Sequence, residues 1–146
     1  MDVLSIHLES QQARPHLTAR IAINGHDLIE EVAAVEARFA GASASGYEYP
    51  SARSLLLLDD AIGEDEPFSR EGGREVTVLI CNCGIPTCWT LLTTIVATPE
   101  TVTWHQFRQS RRDEWSYQAL GPFVFDREQY DDVIIHAINE AARLDP

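Results

Sequence analysis

The residues best suited to chemistry are three cysteines, Cys81, Cys83 and Cys88, spaced Cys-x-Cys-x4-Cys. Three thiols gathered by one turn are a donor set that soft metal ions such as zinc prefer. Tetrahedral zinc takes a fourth ligand, and the nearest histidine in sequence is His105. If residues 84–87 turn a hairpin, Cys83 faces Cys88, Cys81 faces Thr90 and Val78 faces Thr93. A second turn at Pro99-Glu100 then sets Ile95 opposite Trp104, Thr94 opposite His105 and Leu92 opposite Phe107. Thr94 is four positions along the strand from Thr90, roughly 13 Å at the usual rise, so His105 does not reach the thiols. A fourth ligand would have to come from His7, His16, His26 or His136. Three readings stand side by side: buried structural thiols, common among free cysteines; a zinc site on Cys81, Cys83 and Cys88; and a Cys83/Cys88 redox pair.

Other constellations lead to blander readings. A cysteine nucleophile would need His105 within hydrogen-bond reach, which the register denies. Asp59-Asp60 and Glu64-Asp65-Glu66 flank Gly63 but lack the alternating ligand positions of a calcium loop, and read as a solvated acidic stretch. Asp131 and Asp132 are adjacent on a helix and do not face each other. No phosphate-binding glycine loop, serine elbow or HExxH motif is present. Arg108, Arg111 and Arg112 beside Trp115 form the one basic cluster, a combination favoured at protein interfaces. The alternative is that these arginines pair with carboxylates of their own chain and that Trp115 is buried.

Charge narrows the classes of partner. There are 23 acidic residues against 11 basic ones, all arginine, for a net charge of −12. Such a field repels a nucleic-acid backbone and favours a basic protein partner, while also keeping the chain soluble. A hydrophobic share of 45% over 146 residues is enough for one folded domain with a real core. The first residues lack a basic region followed by an apolar run, and no apolar run approaches bilayer length. The odd cysteine number does not make a secreted disulfide framework. The expectation is a cytoplasmic protein with no membrane and no nucleic-acid partner.

The elements that must position these residues follow from periodicity. Residues 3–8 and 17–23 are rich in Val, Ile and Leu and read as strands, followed by an Asn24-Gly25 turn. Asp27 with Glu30 has capping-box spacing, and Leu28, Val32, Val35 and Phe39 form a stripe, predicting a helix over 28–40. Residues 41–54 read as a loop, and the type of the Leu55–58 run is undecided. Three β-rich runs over 76–107 make an antiparallel meander. One face of it collects Val76, Val78, Ile80, Trp89, Leu91, Ile95 and Trp104; the other carries the cysteines with Leu79, Leu92, Val96 and Phe107. Residues 123–125 add a short strand. Asp126 with Gln129 repeats the capping spacing, and Tyr130, Val133, Ile134, Ala137, Ile138 and Ala141 stripe a helix to about Leu144. The predicted fold is α+β: an antiparallel meander of about five strands with two main helices packed on one face.

Cys81-x-Cys83-Gly84-x-x-x-Cys88-Trp89, Trp104-x-x-Phe107, Trp115-x-Tyr117 and Leu120-Gly121-Pro122-Phe123-x-Phe125-Asp126-Arg127-x-Gln129-Tyr130 occur in that order. In this the chain resembles a family of small bacterial, largely actinobacterial, proteins. Related sequences commonly have glycine before the third cysteine, where Thr87 stands here. The resemblance implies no catalytic residue. The leading expectation is therefore a non-enzymatic acidic protein that neutralises or regulates a basic partner without a cofactor. The alternative is a zinc-binding or thiol-redox protein using the three cysteines.

Overall fold

The computed structural model describes residues 1–10, 17–40, 47–55, 72–81, 89–111 and 114–144. The cysteine turn at 82–88, the acidic stretch within 56–71 and Arg112 lie outside the described residues. The fold is α+β. A five-stranded antiparallel sheet runs in the order β4 (Tyr47–Glu48), β5 (Gly72–Cys81), β6 (Thr90–Ala97), β7 (Thr101–Gln109), β8 (Phe123–Asp126). A second sheet contains β1 (Leu4–Glu9), β2 (Thr18–Ile23) and β3 (His26–Asp27). Three helices complete the order: α1 (Leu28–Ala40), the single turn α2 (Ala52–Leu55) and α3 (Arg127–Leu144).

The two sheets are stitched together at both sides. Asp2 bridges Phe125 beside β8, its amide donating to the Val124 carbonyl at 2.9 Å and its carboxylate accepting from the Val124 amide at 2.8 Å. Thr18 of β2 bridges Ser51 just past β4, with the Ala19 amide bonded to the Pro50 carbonyl. Backbone groups that would otherwise be open sheet edges are satisfied there.

Local chemistry accounts for the first sheet and its helix. Asn24 and Gly25 both have positive φ, 56° and 81°, as a tight hairpin turn with right-handed strand twist requires. The Asn24 side chain accepts from the Val3 amide and donates to Asp2. Asp27 does not act as the expected cap of α1. Its two carboxylate oxygens accept from the Arg20 guanidinium at 2.8 and 2.5 Å, which holds its pKa below the usual range. The Ile29 amide donates instead to the Tyr49 hydroxyl.

Two β-bulges reset the meander. Ile95 pairs with Trp104 and Thr94 with His105, as the sequence predicts, but Leu92 pairs with Arg108 rather than Phe107. Gln106, at φ 53°, supplies the extra residue. On the other side Val76, not Val78, pairs with Thr93, and Ile80, not Cys81, pairs with Thr90, with a register shift between Thr77 and Leu79. Each bulge moves the downstream residues to the opposite face. Leu79 and Phe107, expected on the cysteine face, are therefore buried, while Ile80 is only half-buried. Trp89, just before the regularly alternating β6, is half-buried as well. Val76, Val78, Leu91, Ile95 and Trp104 are in the core as expected.

Helix α3 starts where its cap predicts: Asp126 Oδ2 accepts from the Gln129 amide at 3.1 Å. It buries Tyr130, Ile134, Ala137 and Ala141. Tyr130 and Phe125 surround Trp104, whose indole N–H donates to the Tyr130 hydroxyl at 3.1 Å. No helix among the described residues is long and apolar enough to cross a membrane.

Candidate functional site

The sequence-predicted residues end up in different places. Cys81 closes β5, its backbone opposite Tyr47, whereas Cys83 and Cys88 lie outside the described residues. Among the described residues no group of three or more His, Cys, Asp or Glu is arranged to hold a metal ion. Arg108 makes a bidentate pair with Glu75, at 2.6 and 2.7 Å, which lowers the Glu75 pKa. Arg111 is exposed in the turn after β7, and Arg112 lies outside the described residues. Trp115 is half-buried and stacks on Phe39, with ring centroids 6.0 Å apart and planes at 17°. Of the basic cluster, Arg108 thus belongs to an intramolecular pair, and Trp115 packs on the end of α1.

A buried polar cluster stands where the sequence reading had none. Glu36, on α1, is only 2% exposed. Its Oε2 accepts hydroxyl hydrogen bonds from Tyr47 of β4 at 2.6 Å and from Tyr117 at 2.5 Å. Gln109, at the end of β7, donates its side-chain amide to the Tyr47 hydroxyl at 3.0 Å. Burial raises the Glu36 pKa, and the two phenol hydrogen bonds pull it back only in part. Both phenols are in turn pushed up, first by burial and then by bonding to the carboxylate. With two donors on one oxygen, the carboxylate is committed to holding α1, β4, β7 and the Tyr117 segment together. A signal for it existed: Leu28, Val32 and Glu36 are spaced i, i+4, i+8, one row of a helix. Phe39, expected on the core stripe, is 44% exposed instead.

Among the described residues, one cleft lies just before β7 and another along it. The first, of about 510 Å³, lies where the β6–β7 turn meets the start of α3, between Glu100, Asp126, Glu128, Asp131 and Asp132. Arg127 in the same lining bonds Asp131 at 2.9 Å and the Thr98 carbonyl at 2.8 Å. The second, of about 480 Å³, lies further along β7 under residues 117–122, with His105, Phe107 and Tyr117 in its walls.

Compared with protein families, curated proteins and solved structures, the chain matches none.

Proposed function

We propose that this is a non-enzymatic, cytoplasmic binding protein that neutralises or regulates a basic protein partner. The carrying observation is how charge is disposed. Arg20, Arg108 and Arg127 each bond carboxylates of their own chain, while Glu100, Asp126, Glu128 and Asp132 stand exposed around one cleft. The net charge of −12 sets the sign of the long-range field, and the cleft gathers four exposed carboxylates in one place.

The test is binding of a fluorescent arginine-rich peptide by anisotropy at increasing salt. Binding is expected to weaken as the Debye length shrinks to about 10 Å near 0.1 M. Glu100→Gln with Glu128→Gln is expected to weaken it more than Glu30→Gln with Glu114→Gln, which removes the same charge from exposed positions elsewhere. Equal losses from the two pairs would leave only a net-charge effect and remove the cleft from the reading. Stoichiometric zinc in protein purified without added metal, lost on substitution of Cys81, Cys83 or Cys88, would replace this function with the thiol-based alternative.

A further inference from the structure

We propose that Asn24 is a site of spontaneous deamidation, closed to a succinimide by the Gly25 backbone nitrogen, and that its conversion to aspartate or isoaspartate loosens the stitch between the two sheets. The site shares no residue with the acidic cleft and is independent of the basic-partner reading.

Asn24 and Gly25 form the two-residue turn between β2 and β3, and both are exposed. Asparagine is among the chemically labile residues, and a following glycine leaves the attacking nitrogen unhindered. A Cβ placed on Gly25 would meet nothing within 4 Å, so the tip of the turn stands in open solvent. In the reaction the Gly25 amide loses its proton to solvent base, and its nitrogen attacks Asn24 Cγ. The Cγ–Nδ2 bond breaks, ammonia leaves with a proton from solvent, and a five-membered imide remains. Water then opens the ring. Breaking the bond from nitrogen to Cγ yields aspartate; breaking the bond to the Asn24 backbone carbonyl carbon yields isoaspartate. In sum, asparagine and water give a carboxylate and ammonium, and nothing is oxidised or reduced.

What hangs on Asn24 is a contact between the sheets. The Val3 amide can only donate, so it faces Oδ1, at 2.8 Å; the Asp2 carboxylate accepts, so it faces Nδ2, at 2.9 Å. The other Asp2 oxygen accepts from the Val124 amide of β8 at 2.8 Å. One line of bonds therefore runs from the β2–β3 turn through Asp2 to the five-stranded sheet. Deamidation replaces Nδ2, the donor in that line, by an oxygen carrying negative charge. Two carboxylates then face each other where a hydrogen bond stood, and they repel. Isoaspartate adds a methylene to the main chain at a residue held at φ 56°, which the two-residue turn does not accommodate. Both side-chain bonds of Asn24 are exposed, so water competes for them and each slows ring closure only by about tenfold.

The experiment is ageing of the native full chain in mildly alkaline buffer, followed by mass spectrometry of the proteolytic peptide carrying residue 24. That peptide is expected to gain the mass by which O exceeds NH, in aspartate and isoaspartate forms. Asp2→Ala is expected to speed the gain about tenfold, because one bond restraining the amide is lost. A native chain that keeps its mass while a guanidinium-unfolded sample gains it would overturn the proposal. Asn24→Asp is expected to raise hydrogen exchange of the Val124 amide about tenfold at neutral pH. Adding Asp2→Asn is expected to restore it, since the exchanged pair again sets an amide donor against a carboxylate and leaves an oxygen for the Val124 amide. Unchanged Val124 exchange in Asn24→Asp, or in the aged chain, would overturn the proposal as well. If Asn24→Asp does not fold, the aged chain gives that readout alone.

Discussion

The two long helices both bury an apolar stripe, but the groups that anchor them to the five-stranded sheet differ. Helix α3 is held by an aromatic trio, Trp104, Phe125 and Tyr130, with one neutral hydrogen bond inside it. Helix α1 buries Leu28, Val32 and Val35 and is tied across by Glu36, a buried carboxylate that accepts from two phenols, one of which accepts from the Gln109 amide. Apolar packing takes its strength from area and shape and is nearly indifferent to pH. A buried carboxylate gives directional hydrogen bonds but carries a desolvation cost that depends on its charge. The two ends of the core should therefore answer differently to mutation and to pH.

The largest effect is expected from Trp104→Ala. Removing a fully buried indole should cost about 3–5 kcal/mol by urea denaturation, similar at acid and neutral pH. A loss confined to neutral pH would erase the contrast between the two anchors. Tyr117→Phe comes next: it leaves Glu36 with one phenol donor, and about 1–3 kcal/mol should be lost at pH 7. That loss should shrink once the carboxyl is protonated, which a denaturation series in acid buffers will show.

Asp126→Ala removes the acceptor for the Gln129 amide and should cost about 1 kcal/mol, read as a lower denaturation midpoint. Glu36→Gln sharpens the contrast through its sign. Because the folded pKa is raised above the ordinary 4.5, the folded state holds its proton to higher pH than the unfolded chain. The stability from that retained proton is present in full below pH 4.5 and is lost as pH rises through the folded value. Glutamine should thus gain relative to the native residue as pH rises from acid to neutral, in parallel denaturation curves. A gain that does not change with pH would mean that burial does not set the Glu36 titration. The smallest effect is expected at the Arg108–Glu75 pair. Both side chains are more than a third exposed, so Arg108→Ala should change stability by less than about 1 kcal/mol and less still in high salt.

The acidic character, the α+β class, α1, α3 and its Asp126 cap, and the Asn24-Gly25 turn were all legible in the sequence. Each depends on neighbours along the chain: a stripe at helical spacing, a cap three residues from its amide, a turn that needs positive φ. The register at the Pro99-Glu100 turn was equally legible, since Thr98 and Thr101 close it locally. Part of what failed did so at the bulges, and a further one-residue offset lies on the turn side of the β5 bulge, where Ile80 rather than Cys81 pairs with Thr90. One extra residue at Gln106 and another between Thr77 and Leu79 reversed which side of the sheet Phe107 and Leu79 occupy, and simple alternation cannot foresee an insertion stabilised by the neighbouring strand. Asp27 kept a capping spacing yet bonded Arg20, because β2 had already placed a guanidinium beside it. The Glu36 cluster joins positions 36, 47, 109 and 117, and the cleft around His105 joins β7 to a segment beyond it. Composition and local spacing set the elements and their charge; only tertiary packing decided which polar groups would be buried together, because that depends on contacts between residues far apart in the chain.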